Sequence, residues 1–372
     1  MKLRFLELAC CPECCGDLAL DWRAPETGEI ESGAITCAGC SRQYPIVNGI
    51  PRLLPDALAH QTLEYHGAFF AQYRDRLRAF LSRASADAAN TDWWQAERRT
   101  IRSYSYQWRK FKEMFPHWEE LFLESIRPID RSFFSGKVGL DGGCGFGRSL
   151  FYSASFGAEM IGLDLSEAIE AARENTGHLP NVHLVQGDIF NPPVKRRSLD
   201  FVYSIGVLHH LPEPKGGFLS LSRLLKPGAP MFVWVYLRGR GRQIKAFTAM
   251  RAVSTRTPLR LLNAACLALA VGQFAAFILP RRVLSAIGAG SLGAKIPFSD
   301  YTKYPFRALH TDWVDGLSVP LVNYYKPHEI ADWYRDGGFE RVRIDSEAEW
   351  NGRALGYAPM RQPATAQTSS MA

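Results

Sequence analysis

The stretch from Lys137 to Asp164 constrains this chain more than any other. It reads Lys-Val-Gly-Leu-Asp-Gly-Gly-Cys-Gly-Phe-Gly-Arg, then a helix-like segment, then Met-Ile-Gly-Leu-Asp. Val138 to Asp141 predicts a short buried strand. Gly142, Gly143, Gly145 and Gly147 predict a turn that can take positive φ and bring the backbone close to a ligand. Arg148 to Phe156 suits a helix, and Glu159 to Asp164 a second strand. A strand, Gly-rich turn, helix and acid-terminated strand is the arrangement that binds the ribose hydroxyls of a nucleoside cofactor. The glycines run G-x-G-x-G (Gly143, Gly145, Gly147), not the G-x-G-x-x-G of dinucleotide sites. Asp141 also stands at the mouth of the loop, where it would repel a pyrophosphate and favour a ligand with a cationic end. A purely structural turn is the competing reading, and the flanking strands and Asp164 weigh against it.

Leu140-Asp141-Gly142-Gly143-Cys144-Gly145-Phe146-Gly147 resembles motif I of the class I S-adenosylmethionine-dependent methyltransferases, L-D-x-G-C-G-x-G, which cradles the methionine part of the cofactor. Later segments follow that family in order and spacing. Ser166-Glu167 opens a helix, with the serine as N-cap. Asn181 to Gln186 is a third strand, followed by Gly187-Asp188-Ile189. Leu199 to Ser204 is a fourth, leading into Ile205-Gly-Val-Leu-His-His-Leu-Pro212. A helix over 218–225 stops at Lys226-Pro-Gly228, and Met231 to Tyr236 is a fully apolar fifth strand. The resemblance covers about 100 residues and implies an α/β, doubly wound, Rossmann-like seven-stranded methyltransferase sheet that binds S-adenosyl-L-methionine. It puts Asp141, Gly143, Gly145, Asp164, Leu165 and Ser204 around the cofactor. Asp188 would bond the adenine amino group, with Ile189 against the ring.

Six of the eight cysteines fall before residue 41. Cys11-Pro-Glu-Cys14 and Cys37-Ala-Gly-Cys40 are two C-x-x-C knuckles, the donor set of a closed structural Zn²⁺ site. A redox pair or a chance cluster is the alternative, and Cys10 or Cys15 could replace a ligand. Pro12 and Gly16 favour Cys11 and Cys14. With Tyr44-Pro-Ile-Val-Asn-Gly-Ile-Pro51, residues 8–55 resemble the zinc-ribbon family of the small partner protein that activates several methyltransferases. In such a module the metal holds together a fold too small for its own core. Its role would be docking or stabilising, with the identity of a protein partner open.

The chain of 372 residues, with 22% charged and 47% hydrophobic residues, can bury a full core and carry appendages. Its net charge of +7 permits contact with anionic lipid or RNA without requiring it. Charges within Met1 to Leu8 speak against a secretory signal, so a cytoplasmic enzyme is expected. We divide the chain into a zinc-ribbon module (1–55), an aromatic-rich helical lid or linker (56–135), a cofactor-binding core (136–236), an apolar and basic helical insertion (237–320), the end of the sheet (321–360) and a disordered tail (361–372). In the second part, Ser103-Tyr-Ser-Tyr-Gln-Trp108 resembles a stretch just ahead of the cofactor domain in many bacterial methyltransferases, where it looks like a lid. Trp93 and Trp94 belong to the same aromatic crowd, for which core packing is the bland reading.

The insertion opens on a basic run from Arg238 to Arg260. It continues through nineteen uncharged residues, Leu261 to Leu279, and closes on Pro280-Arg281-Arg282. Length admits a membrane span. Phe339 to Asp345 reads as another strand of the same sheet, however, and a single crossing would leave it on the wrong side. A buried helix pair or lid is the first expectation, and peripheral membrane contact through 238–282, at the inner surface, the second. The segment from Leu321 to Phe339 resembles an element near the end of these enzymes, a helix begun after Pro327 and stopped by Gly337-Gly338.

These readings together give methyl transfer to oxygen or carbon of a small or lipid-linked acceptor, such as a surface-glycan, quinone-like or natural-product intermediate. His209 and His210 follow the fourth strand and are candidates for a general base, with packing as the alternative. RNA methylation is a second reading, disfavoured by the acidic residues of the zinc module and by the lack of an N-P-P-[YF] motif after the fourth strand. A non-catalytic scaffold with this fold is the third.

Overall fold

The structure, a computed structural model, describes residues 1–23, 29–84, 92–239, 241–297, 299–346 and 351–360. The disordered tail expected over 361–372 lies outside these residues, as do the side chains of Trp93 and Trp94.

One sheet organises the molecule. Its strands are β1 (Leu18–Arg23), β2 (Gly33–Cys37), β3 (Gln43–Val47), β4 (Ile50–Leu53), β5 (Val138–Gly142), β6 (Glu159–Asp164), β7 (Val182–Gly187), β8 (Phe201–Ile205), β9 (Pro230–Tyr236), β10 (Glu340–Asp345) and β11 (Asn351–Tyr357). The order is β1-β2-β3-β4-β7-β6-β5-β8-β9-β11-β10. From β4 to β9 neighbours run parallel, and β11 and β10 close that side antiparallel. The strand order reverses beside β5, which pairs with β6 on one side and β8 on the other. Such a reversal opens a crevice at the carboxyl edge.

Eleven strands therefore replace the expected seven. The seven are present as the contiguous run from β7 to β10, and the N-terminal module adds four more. The module is not a bead on a string. Its β4 pairs in parallel with β7, Arg52 opposite Gln186 and Leu53 opposite Gly187. Its Phe5, Leu8, Ile35, Tyr44 and Ile46 share one core cluster with Leu140, Ile161 and Val185 of the central strands.

The helices that matter for the site are α1 (Asp92–Lys110), α2 (Arg148–Ser155), α3 (Ala168–Thr176), α4 (Pro214–Ser222), α5 (Gly241–Ser254), α6 (Leu259–Ala286), α7 (Phe306–Ser318) and α8 (Pro327–Asp336). α3 begins two residues after Ser166, whose hydroxyl accepts the Ala168 N–H at 3.2 Å; the expected serine cap thus acts from one position further out. α4 starts earlier than expected because Pro214 fits the first helical turn, where no N–H is needed. α6 is one continuous helix with a π turn at Phe274–Ile278. It is not the buried helix expected first: only 28% of its most apolar window is covered by protein.

Arg52 joins the module to the core. Its side chain is fully buried, and it bonds Gln186 Oε1 at 3.0 Å, faces Glu167 at 3.7 Å and pairs with Glu170. Glu167 also meets His66 at 3.1 Å. Removing one partner of a buried ion pair strands the other, at about 3–5 kcal/mol. Arg52→Ala is therefore expected to lower unfolding stability by that order in urea denaturation. An unchanged midpoint would mean that the pair carries no net weight.

Candidate functional site

The site forms where β5 and β6 end. After β5 the chain enters the Gly-rich loop, and the loop is pulled onto the neighbouring strand: the N–H groups of Gly143 and Cys144 both donate to the Leu163 carbonyl, at 2.8 and 3.0 Å. Gly143 has φ +90°, and a Cβ there would lie 2.5 Å from Val207, so only glycine fits. Gly145, at φ +54°, turns its N–H to Asp164 Oδ2 at 2.8 Å. The other Asp164 oxygen accepts from the backbone and hydroxyl of Ser166, at 2.8 and 2.7 Å. Asp164 is thus fixed against the loop by its own strand end.

Asp141 lies beneath the same loop, buried. Burial, then the nearby Asp164, pushes its carboxyl up to about 8, while Tyr203 and Arg148 pull the other way. Two carboxyls in one recess form a site short of positive charge. Ser204 is spent on structure, since its hydroxyl donates to the Gly142 carbonyl at 2.7 Å and ties β8 to the loop. Leu165 packs against Leu54 and Leu58 at the end of the N-terminal module. Asp188 accepts from the Phe190 N–H and the Asn191 amide, both at 3.0 Å, and burial raises its pKa. Ile189 is buried beside it.

His209 and His210 form the floor next to this crevice. Both are buried, and burial lowers both pKa values, that of His210 to about 4. His210 Nδ1 donates to the Leu321 carbonyl at 2.8 Å, which leaves Nε2 as its lone-pair nitrogen. Neither ring nitrogen of His209 has a partner among the described residues. Its ring lies 4.0 Å from that of His210 and 4.1 Å from that of Tyr236.

The sequence reading singled out Ser103 to Trp108 and missed the rest of the surrounding wall. Helix α1 crosses over the loop, with the Trp108 indole 3.6 Å from where a Gly145 Cβ would be and 4.9 Å from the Phe146 ring. The same helix makes three hydrogen bonds, to the start of α3 and to α7. Ser105 accepts the Glu167 N–H, Ser103 donates to the Ser318 carbonyl, and Gln107 donates to Asp315. Glu97 of α1 is buried, and burial together with Asp188 pushes its carboxyl to about 7. From the insertion, Arg251 bonds the Tyr324 hydroxyl at 3.0 Å and the Gly316 carbonyl at 2.8 Å, and Asp315 bonds Tyr236. Arg148 lies over the Trp118 ring at 4.6 Å and feels Asp312, Asp141 and Asp315. Arg148 was findable as the first residue after the glycine turn, and Tyr236 as the last of the fifth strand. Asp315 sits in no local pattern.

The cysteine knuckles form a second centre. The sulfurs of Cys11, Cys14, Cys37 and Cys40 all lie within 4.8 Å of one another, with Cys11–Cys40 at 3.6 Å and Cys14–Cys37 at 3.5 Å. Four thiolates around a tetrahedral ion with bonds near 2.3 Å would stand about 3.8 Å apart. The cluster could therefore hold a metal of that type with little movement. Gly16 leaves the room, since a Cβ there would come within 3.0 Å of the Cys37 sulfur. Cys10 is outside the set, its N–H bonded to the Pro193 carbonyl, and Cys15 is exposed. An open cleft of about 540 Å³ between the module and α3 contains none of these groups, and its charges pair with each other, as Lys2 with Glu29 and Arg173 with Glu31.

Residues 140–233 match the methyltransferase domain family, and residues 2–49 the Trm112p-like protein family. The chain joins a Trm112p-like domain to a methyltransferase domain. The methyltransferase domain has the fold of S-adenosylmethionine-dependent enzymes. It is similar to a demethylmenaquinone methyltransferase of Staphylococcus haemolyticus, 39% identical over 98 residues, which are 25% of this chain and 41% of the relative. A ubiquinone biosynthesis O-methyltransferase of Thiobacillus denitrificans is 30% identical over 153 residues, 37% of this chain and 64% of the relative. A tRNA (carboxymethyluridine(34)-5-O)-methyltransferase of Saccharomyces cerevisiae is 34% identical over 110 residues, 28% of this chain and 37% of the relative. The chain thus spans less than two thirds of each of these proteins.

The raised Asp141 gives the methyltransferase domain a pH signature. The carboxyl holds its proton below about 8, whereas a cationic ligand favours the carboxylate. Affinity for S-adenosylmethionine is expected to rise with pH from 6 to 8, by up to about tenfold per unit, and to level off above. S-adenosylhomocysteine keeps the α-ammonium but has an uncharged thioether, so its gain over this range should be smaller. Titration calorimetry of both ligands checks it, and affinities for both that do not change with pH would exclude this role for Asp141.

Proposed function

We propose that this chain transfers the methyl group of S-adenosyl-L-methionine to an oxygen or activated carbon of a small or lipid-linked acceptor. The observation that carries the proposal is the loop of Gly143 and Gly145 held between Asp141 and Asp164, inside a domain of the methyltransferase family. Asp164 would hold the ribose hydroxyls, Asp188 and Ile189 the adenine, and Asp141 the cationic end. The bound cofactor supplies an already activated methyl group on a sulfonium. The chain's part is then orientation and exclusion of water, which suits a helix such as α1 acting as a lid over the loop.

An acceptor would enter beside His209, His210, Tyr236 and Arg251. Both histidines are neutral at pH 7, and His210 keeps a free Nε2 that can take a proton from an acceptor hydroxyl. The charged and phenolic wall suits a polar acceptor head, while the apolar helices outside it suit a hydrophobic tail. The quinone-related names of two relatives agree with such an amphiphile. The yeast relative's name favours RNA as a second reading. Against RNA, the zinc-ribbon-like module already spends its β4 edge on β7, so its partner is the methyltransferase domain of the same chain. Clustered thiols suit a reducing, cytoplasmic compartment.

The first experiment is calorimetric titration with S-adenosylmethionine, using the wild type and Asp164→Ala. Micromolar binding that weakens at least a hundredfold in the variant is expected. No binding by folded wild-type protein would sink the enzyme and leave the scaffold reading. Labelled cofactor offered with a lipid extract or with total RNA then separates the acceptors, and label in RNA alone would overturn the small-molecule reading.

We further propose that Cys11, Cys14, Cys37 and Cys40 hold one structural Zn²⁺. Elemental analysis should give about one zinc per chain, lost on Cys37→Ser together with resistance of residues 1–55 to proteolysis. Full alkylation of the four thiols in the native protein, with no zinc bound, would disprove it.

A further inference from the structure

Between Arg260 and Arg281 helix α6 carries no charged residue, yet much of it lies on the outside of the molecule. Its buried side chains lie against α7 and neighbouring segments. Leu262, Cys266 and Ala270, spaced by four, are buried against α7, where Leu309, Val314 and Leu317 receive them. Two uncharged polar residues also bond to α7: Gln273 accepts from the Trp313 indole at 2.8 Å, and the main-chain carbonyl of Asn263 accepts from His310 at 3.3 Å. Ile278 is buried with Leu309, and Phe274 and Phe277 pack against them. Other aliphatic side chains of the helix face out, including Leu261 at 64% exposure, Val271 at 51% and Val283 at 49%. Val253 on α5 and Ile287 just beyond α6 are exposed as well, at 72% and 70%. A monomer in water does not keep such a contiguous aliphatic face uncovered.

The charge around this face is one-sided. From Arg238 to Ser299 the sequence contains ten Lys and Arg and no Asp or Glu. Lys245, Arg256, Arg260, Arg282 and Lys295 are exposed, and none has an acidic partner among the described residues. A second copy of the chain would set this cationic fringe against itself, which costs free energy. The exposed large side chains of α6 are aliphatic rather than the aromatic anchors common in protein interfaces. An aliphatic face rimmed by unpaired cations is complementary to acyl chains beneath anionic headgroups.

We infer that α5 and α6 form a membrane-docking surface, on which α6 lies in the plane of an anionic bilayer without crossing it. Spanning would strip Leu262, Cys266, Asn263 and Gln273 from α7, which α1 in turn ties to the cofactor core through Ser103 and Gln107. At 1.5 Å per residue the 28-residue helix is about 42 Å long, beyond the roughly 30 Å of a hydrocarbon core. The docked face also backs the acceptor chamber. α7 contributes Asp312 and Asp315 to its wall, and Arg251 of α5 bonds Tyr324. An amphiphile held in the bilayer would lie next to the chamber. The docking itself goes beyond the reaction proposed above and does not depend on it.

The test is co-sedimentation of the full chain with phosphatidylcholine vesicles, with and without phosphatidylglycerol. Binding is expected to the anionic vesicles, at least tenfold above phosphatidylcholine alone. Leu267→Glu/Val271→Glu and, separately, Arg256→Gln/Arg260→Gln should each lower it about tenfold or more. These side chains are exposed, so circular dichroism and S-adenosylmethionine affinity should match the wild type, and loss of docking with cofactor binding intact separates this inference from the enzymatic one. Three results would overturn it: wild-type protein that ignores anionic vesicles, binding that survives both variants, or a wild-type dimer that Leu267→Glu/Val271→Glu dissociates. Vesicle-bound protein that resists alkaline carbonate would overturn the in-plane placement in favour of a span.

Discussion

A guanidinium with no water around it must find its counter-charges inside the protein, and much of this structure follows from where Arg52 finds them. Its partners, Glu167 and Glu170, sit at the start of α3, directly after the β6 acid that braces the glycine loop. The turn over 164–170 therefore answers to three segments at once. Arg52 and His66 hold its carboxylates, Ser105 of α1 takes its Glu167 N–H, and Asp164 takes the Gly145 N–H. Moving β4 would move the floor of the cofactor crevice. A small module folded through four thiols and a shared core thus reaches the site without contributing an atom to it.

Charge balance gives the crevice its selectivity. Burial raises the pKa of both Asp141 and Asp164, and the nearby carboxyl of Asp164 raises that of Asp141 further. A dianionic phosphate ligand would worsen the imbalance, while a sulfonium with an ammonium group relieves it. The neighbouring chamber is built differently, with Arg148 and Arg251 opposing Asp312 and Asp315. The two compartments differ in what they ask of a ligand, cationic on one side and roughly neutral but polar on the other. In the proposed reaction such a difference would hold a charged donor and an uncharged acceptor head in separate places.

The legible parts of the sequence were those whose physics is local. The central strands agree within two residues because buried parallel strands are unbroken apolar runs ended by turn residues. The glycine loop could be read because its backbone needs positive φ at fixed positions. Pairing of β4 with β7 could not, since it joins segments some 130 residues apart with no shared period. Strand β11 was missed because its glycines disguise it. Gly352 and Gly356 lie where a Cβ would come within 2.7 Å of Leu237 and 2.5 Å of Tyr334, so α8 and the β9 end dictate glycines that weaken the strand pattern within the part assigned to the end of the sheet. The wall of the chamber was illegible for the same reason: Asp315 has meaning only beside Tyr236 and Gln107.

The apolar run of α6 misled in a more instructive way. Periodicity reports which residues avoid water and is silent on what replaces the water. Nineteen uncharged residues are compatible with a core, a span or an interface, and the sequence holds few features that separate them. The structure separates them by a count of faces. A core helix would be covered on all sides, and a span would turn no polar group toward a soluble domain. α6 does neither, because Leu262, Cys266, Ala270 and Ile278 are buried while Leu261, Leu267, Val271 and Val283 are exposed. Its inner seam is as necessary as its outer face. The seam packs against α7, which carries Asp312 and Asp315, so the element that presents an apolar surface to the outside also fixes the charges beside Arg148.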